Sequence, residues 1–167
     1  MNQLDNIAQE IIQLIGDEWI KQGHDLTGAF VQGLSYEIVD NIIYIYDTTN
    51  SGYGKILNAG VSADRIPFTT NSERSERGWE KSPFKTSKYI QGLVRYAKLR
   101  MGASDKDALS IAFAIAHKHK KEGMPTDDST RFSKTGKRTQ FVEDATTEVD
   151  KIVEKYMDQF VNELIEV

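Results

Sequence analysis

Histidines are the residues of this 167-residue chain best suited to acid–base or metal chemistry, and there are three of them. His117 and His119 lie two residues apart in a predicted helix, so their rings point about 200° apart around the axis and cannot bind one metal ion together. We interpret this pair as basic residues near a helix C-terminus, where positive charge is favourable. His24 falls in a predicted loop that continues to Gly28.

The carboxylates and glycines form no catalytic pattern that is stronger than that of the histidines. Asp127 and Asp128 lack the spaced oxygen ligands of a calcium loop, and we interpret them as solvated turn residues. The fragment 52–54 (GYG) lacks the strand-to-helix context of a phosphate-binding loop, and no serine-nucleophile signature is present. Cys is absent, which excludes disulfides, thiol nucleophiles and Cys-ligated zinc. We therefore predict no catalytic, cofactor-binding or metal-binding residue and do not expect an enzyme.

Basic residues are concentrated in the middle of the chain. Residues 81–138 contain 14 Lys/Arg and 5 Asp/Glu, whereas the remainder contains 7 and 20, which gives a net charge of −4 overall. One interpretation is that this segment binds a polyanion such as nucleic acid. The other, which we favour, is that basic and acidic segments of one chain or of neighbouring copies face each other.

A predicted loop in this segment holds the best candidates for contact with DNA or with an acidic partner. They are Arg131, Lys134, Lys137 and Arg138. The loop directly precedes the positively polarised N-terminus of a predicted helix, where cations are disfavoured, so one interpretation is that it faces an external anion or an acidic neighbour. The other is that it is a solvated loop that leads into the acidic C-terminal helix.

Hydrophobic periodicity predicts the elements that position these residues. An N-terminal amphipathic helix over residues 3–22 follows from apolar residues at three- and four-residue steps, namely Leu4, Ile7, Ala8, Ile11, Ile15 and Trp19. Residues 30–47 are rich in Val, Ile, Tyr and Phe, and Asp40-Asn41 in their middle suits a hairpin turn. We therefore predict two antiparallel strands here, and a helical turn or short strand over 53–60.

The middle of the chain is predicted to hold an extended arm and two helices. Residues 61–85 contain two of the three prolines and no periodicity, which indicates a long loop or arm. One helix is predicted from Thr86 until Gly102, and a second from Ala108 to Lys121, with Ser104 as its cap. These two helices carry most of the basic segment.

A long C-terminal helix is predicted from Phe141 onwards, because apolar residues again step by three and four for nearly seven turns. The chain shows no repeat and no shift in composition that indicates a second domain, so we predict one domain, 1–167, with an α+β fold. An antiparallel β-sheet (meander) is packed by the N-terminal helix and the long C-terminal helix, and the arm and two middle helices complete the chain. The apolar stretches are too short to cross a bilayer, and the N-terminus lacks the cationic region of a secretory signal, so we expect a soluble cytosolic product.

The apolar stripe of the C-terminal helix exceeds what a small sheet needs, which leaves surface for other copies of the chain. The predicted subunit-interface residues are the aromatic residues of the arm and the stripe of this helix: Trp79, Phe84, Tyr156, Phe160 and Leu164.

The order of four short motifs resembles a known family. After the N-terminal helix, residues 27–30 (TGAF) lead into the strands, and a tyrosine-led segment, 53–60 (YGKILNAG), follows. A helix then ends in a Lys-Glu-Gly-Met-Pro turn at 121–125, and 139–145 (TQFVEDA) opens the last helix. This order is similar to that of the small neck and tail-completion proteins of tailed bacteriophages.

The resemblance implies a structural virion protein that forms a ring in the neck or tail-completion region. Such a ring joins the portal of the head to the tail and surrounds the DNA path. The implied partners are other copies in a homo-oligomer, other neck, portal or tail proteins, and passing DNA without sequence specificity, with no membrane and no cofactor. The implied location is the virion, assembled in the bacterial host cytoplasm. The alternative function is a nucleic-acid-binding protein that uses residues 81–138.

Overall fold

The structure, a computed structural model, describes residues 3–49, 52–70, 73 and 86–165, without the side chains of 163 and 164. Seven helices are present in these ranges: α1 (Gln3–Lys21), α2 (Ala29–Gly33), α3 (Tyr53–Ala59), α4 (Lys88–Met101), α5 (Asp105–Glu122), α6 (Phe141–Thr146) and α7 (Val149–Ile165). Two strands, β1 (Leu34–Val39) and β2 (Ile42–Asp47), form one antiparallel sheet. The predicted α+β class, with an N-terminal helix and a long C-terminal helix, is confirmed.

The chain divides into two compact units. Residues 1–59 and 129–167 form the first, which we call the sheet unit, and residues 60–128 form the second, which we call the helical-hairpin unit. The sheet unit has 8 Lys/Arg and 16 Asp/Glu, and the helical-hairpin unit has 13 and 9. The charge segregation of the sequence therefore corresponds to two oppositely charged units.

The sheet of the sheet unit is a tight hairpin. Leu34 pairs with Asp47 at one end and Val39 with Ile42 at the other, so Asp40 and Asn41 form a two-residue turn. Both turn residues have positive φ, 52° and 63°, which is the conformation that this turn requires and that Asp and Asn tolerate. The turn prediction is confirmed.

The predicted first strand is wrong at its beginning, because residues 30–33 belong to α2. Gly28, with φ +72°, precedes this helix, and the Gln32 amide donates to the Gly28 carbonyl. The helical path brings the Phe30 ring to 4.0 Å from the Trp19 ring, measured between centroids. Burial of an aromatic ring at this site outweighs the strand preference of the local sequence.

The C-terminal apolar stripe is divided between two helices, α6 and α7, instead of one continuous helix. The Thr146 hydroxyl donates to the Glu143 carbonyl at 2.8 Å, and the Thr147 hydroxyl donates to the Asp144 carbonyl at 2.7 Å. The Glu148 amide bonds to Ala145 three residues back. These bonds replace the regular four-residue ladder, so the helix stops and restarts.

The helical-hairpin unit is built from α4 and α5, which pack antiparallel around Ile90, Ala112 and Ala116. Ser87 and Ser104 cap the two helices by accepting from the amides of Ile90 and Asp107. The Ser104 cap and the end of α4 before Gly102, which has φ +64°, agree with the sequence prediction. Small residues on α5 allow the two helices to approach closely.

Part of the predicted arm packs in this unit. Val61 forms an antiparallel bridge with Met124, Ile66 is buried, and Phe68 packs against the core of α4 and α5. Residues 71–72 and 74–85 lie outside the described part of the chain.

Within the described part of the chain, no helix combines the length and the apolar character needed to cross a bilayer.

Candidate assembly surfaces

The first half of α7 packs against α1, which fixes the direction of the helix. The Tyr156 hydroxyl and the Lys155 ammonium group both donate to Oε1 of Glu10, at 2.7 and 2.6 Å. The hydrogen bond from Lys155, and then that from Tyr156, lower the pKa of Glu10, while the bond to Glu10 raises the pKa of Tyr156. Tyr156, one of the predicted interface residues, is therefore half-buried in a contact within the sheet unit.

The remaining apolar side of α7 is exposed. Its side chains have exposed fractions between 40% and 75%, and they are Val153, Met157, Phe160, Val161 and Ile165. Steps of three and four residues place them on one side of the helix. We call this set the α7 stripe. It includes Phe160, a predicted interface residue, whereas the side chain of Leu164 is not described.

A row of carboxylates runs beside the α7 stripe. Asp150, Glu154 and Asp158 are spaced by four residues, so they line one side of the helix. Each is exposed, and none pairs with a basic side chain in the described part of the chain. From Tyr156 to the C-terminal Val167 the sequence has no Lys or Arg. An exposed apolar stripe with an acidic border favours a partner that is both apolar and basic.

The four predicted basic-loop residues lie in the sheet unit, and the structure separates them into different environments. The Arg131 guanidinium lies 4.8 Å from the centre of the Phe132 ring, and the Lys137 ammonium group donates to Asp144 at 3.1 Å. Lys134 is exposed, and its backbone amide donates to the Lys21 carbonyl.

Arg138 is tied to the fold by its side chain. Its Nη2 donates to the Gly23 carbonyl at 3.1 Å, and its Nη1 donates to the Ser129 carbonyl at 3.3 Å. These bonds hold the loop against the end of α1. Of the four residues, Arg131 and Lys134 are the exposed cations without a carboxylate partner in the described residues.

A second basic surface lies on α4. This helix contains four Lys/Arg and no acidic residue. Lys88, Gly92, Arg95 and Leu99 follow one another at steps of four, three and four residues, so they share one face of the helix. All four are exposed, and a Cβ atom built at Gly92 would meet no atom within 4 Å. We call this set the α4 basic face.

The outer face of the hairpin is a second exposed apolar surface. It carries Val39 on β1 and Ile42, Tyr44 and Tyr46 on β2. Because side chains alternate along a strand, the opposite face of the hairpin points towards α1. A two-stranded hairpin that exposes this many large apolar side chains on its outer face has a surface typical of protein contacts.

An open cleft lies inside the sheet unit. Its volume is about 730 Å³, and its lining comes from α1, α2, both strands, α3 and α6. The lining includes Ile11, Ile15, Leu34, Ile43, Ile45 and Val142. The inner face of the hairpin is therefore only partly covered by helices.

An aromatic cluster surrounds His24 in the core of the sheet unit. The rings of Trp19 and Phe141 lie 4.8 and 6.0 Å from the imidazole, measured between centroids. Burial lowers the pKa of His24 to about 4, and the nearby Arg138 guanidinium acts in the same direction, while the Arg138 backbone opposes it in part. At neutral pH this histidine is an uncharged core residue.

The other two histidines are separated, as the spacing predicts. Phe68 packs edge-on against His117, and His119 Nδ1 lies 2.7 Å from the Tyr89 hydroxyl. Burial lowers the pKa of His119 and raises the pKa of Tyr89 to about 12. In the described residues, no group of three or more His, Asp or Glu side chains could hold a metal ion.

Two predicted interface residues, Trp79 and Phe84, lie outside the described residues. Sequence analysis did not identify the α4 basic face, the acidic row on α7 or the outer face of the hairpin. The first two carry a signal in the sequence, because their members recur at helical spacing. The hairpin face follows from strand alternation once the register is known.

Comparisons with known proteins found no match to this chain, whether to a protein-family model, a curated protein or a solved structure.

Proposed function

We propose that the protein is a structural virion protein of a tailed phage, which forms a homo-oligomeric ring in the neck or tail-completion region. In this role the ring joins the portal to the tail and surrounds the DNA path. The order of sequence motifs supports the family, and the α7 stripe supports assembly. The protein is proposed to act through contacts with proteins, in the virion, and not through catalysis.

The α7 stripe is the observation that carries the proposal. Five large apolar side chains on one side of α7 are exposed, although α1 already covers another side of that helix. Contiguous exposed apolar surface of this kind marks a protein interface. Such a surface is exposed in the single chain and becomes buried when a neighbouring copy binds.

Two separate apolar surfaces fit a ring within a stack of rings. A closed ring is built from head-to-tail contacts in which each copy uses two different surfaces. A ring in a neck also contacts the rings above and below it. The α7 stripe and the outer face of the hairpin lie on different elements, so the sheet unit has surfaces for both kinds of neighbour.

Native mass spectrometry and negative-stain microscopy of the purified full chain test this proposal. We expect closed rings with a central opening, and loss of these rings in the variant Met157→Asp, Phe160→Asp. Ile56→Asp is a matched control, because Ile56 is an exposed apolar residue of α3 that belongs to neither surface. A wild-type chain that is strictly monomeric, both when purified and in a virion extract, would refute the proposal.

Nucleic-acid binding is the second candidate function, and the α4 basic face is the observation that favours it. Lys88 and Arg95 are exposed and have no carboxylate partner in the described residues. If this face binds phosphates, affinity for a short DNA duplex should fall steeply as salt increases, and Lys88→Ala, Arg95→Ala should reduce both affinity and salt dependence. Weak binding even at low salt would favour the assembly role.

A further inference from the structure

We propose that the α7 stripe of one copy binds the α4 basic face of the next copy, so that the sheet unit of each chain contacts the helical-hairpin unit of its neighbour. This inference rests on the proposed function, because it names the two surfaces that a ring would join. It concerns the contact between copies and assigns no partner outside the ring.

Charge complementarity is the first argument. The acidic row of Asp150, Glu154 and Asp158 borders the α7 stripe, and Lys88 and Arg95 lie on the α4 basic face. None of these five side chains has an oppositely charged partner in the described part of the chain. Pairing between them would give all five a counter-charge at the edge of an apolar contact.

The dimensions of the two surfaces agree. Seven residues separate Lys88 from Arg95, and eight separate Asp150 from Asp158, so at about 1.5 Å per residue the rows extend about 10 and about 12 Å. Two helices that pack at a shallow angle keep such rows in register over this length.

Shape is the second argument. Gly92 lies between Lys88 and Arg95 on the α4 basic face, and the space that a side chain would fill there is open. Large side chains of the α7 stripe, such as Phe160, suit a shallow depression of this kind. Leu99, which is 54% exposed, adds apolar area at the end of the same face.

Pairing of two α7 helices is disfavoured by the same charges. Two copies of α7 would bring their acidic rows together, and juxtaposed like charges at an interface oppose association. A basic partner is therefore preferred over a second α7. DNA is acidic and presents no apolar helix face, so a protein is the better partner for the α7 stripe and its acidic row.

Charge reversal in the full-length chain tests the contact. One variant carries Glu154→Lys and Asp158→Lys, and the other carries Lys88→Glu and Arg95→Glu. Each alone should weaken association by about tenfold or more, because like charges then face each other. All four substitutions in one chain should restore rings, and an equimolar mixture of the two variants should restore association between alternating copies, since opposite charges face each other again.

Controls separate this contact from general effects. Lys55→Glu reverses an exposed charge on α3, which belongs to none of the proposed contact surfaces, and should leave self-association unchanged. Far-ultraviolet circular dichroism of each variant should match the wild type, because every substituted residue is exposed. Restoration by the mixture is decisive, since a misfolded variant cannot be rescued by another chain.

The outcomes distinguish the two proposals. Rings in the wild type, their loss in each double variant and their recovery in the chain with all four substitutions support both. Rings that persist in either double variant overturn the α7–α4 contact but leave the ring function standing. Open chains or dimers that respond to charge reversal support the contact and refute the ring. Loss of DNA binding in Lys88→Glu, Arg95→Glu with intact rings would assign the α4 basic face to nucleic acid and overturn the contact.

Discussion

Lowering the pH should destabilise the sheet unit through His24, which lies between Trp19 and Phe141 in its core. The folded chain holds this imidazole neutral because burial removes water and the Arg138 guanidinium is close. The unfolded chain exposes it to water, where it takes up a proton at its ordinary pKa. Acid therefore favours the unfolded state.

The size of the effect follows from the two pKa values, 6.5 when unfolded and about 4 when folded. Above pH 6.5 the imidazole is neutral in both states, so His24 imposes no penalty. Stability is lost as the pH falls below 6.5, and the loss is complete near pH 4, where the folded state also takes up a proton. Between about pH 7 and about pH 5 the free energy of unfolding should fall by about 2 kcal/mol.

Urea unfolding at a series of pH values measures this loss. Replacing Trp79 with Phe leaves Trp19 as the single tryptophan, so its fluorescence reports the surroundings of His24. His24→Phe removes the titrating group while retaining an aromatic ring. The comparison between wild type and His24→Phe uses only the slope of the free energy of unfolding against pH, so a difference in overall stability does not affect it.

A matched control separates His24 from the other buried histidine. Burial also lowers the pKa of His119, but this residue lies in the helical-hairpin unit, so His119→Gln should retain the pH dependence of the Trp19 signal. Parallel curves for wild type and His24→Phe between about pH 7 and about pH 5 would refute the reasoning, because they would show that His24 takes up no additional proton on unfolding.

Three further changes test local features of the fold by urea unfolding. Gly23→Ala should lower the free energy of unfolding by more than about 3 kcal/mol, because the φ of Gly23 is +72° and the new Cβ would collide with a backbone carbonyl. Gly102→Ala should lower it by only about 1 to 2 kcal/mol, because Gly102 has φ +64° but open space around it. Equal losses in the two variants would contradict this reasoning. Ser104→Ala should cost about 1 kcal/mol through loss of a helix cap, and Ser104→Asp should recover it. Asn58→Ala should cost about 1 to 3 kcal/mol, because its side chain accepts from the Val142 amide at 3.0 Å, and an unchanged midpoint would argue against that bond.

Local sequence was sufficient to predict the features that depend on residues close in the chain. Three such features are the buried face of α1, the Asp40-Asn41 turn and the Ser104 cap. Each depends on residues that lie within about four positions of one another in the sequence. Composition also predicted the separation of charge, although not its distribution over two compact units.

Tertiary structure decided the features that depend on distant residues. Phe30 is helical and not extended because its ring packs on Trp19, and α6 begins where Asn58, 84 residues before Val142, caps it. The exposure of the α7 stripe depends on how far α1 extends beside it, and the burial of His24 depends on Phe141. A pattern of apolar residues shows which side chains avoid water, but only packing shows which of them find cover within the same chain.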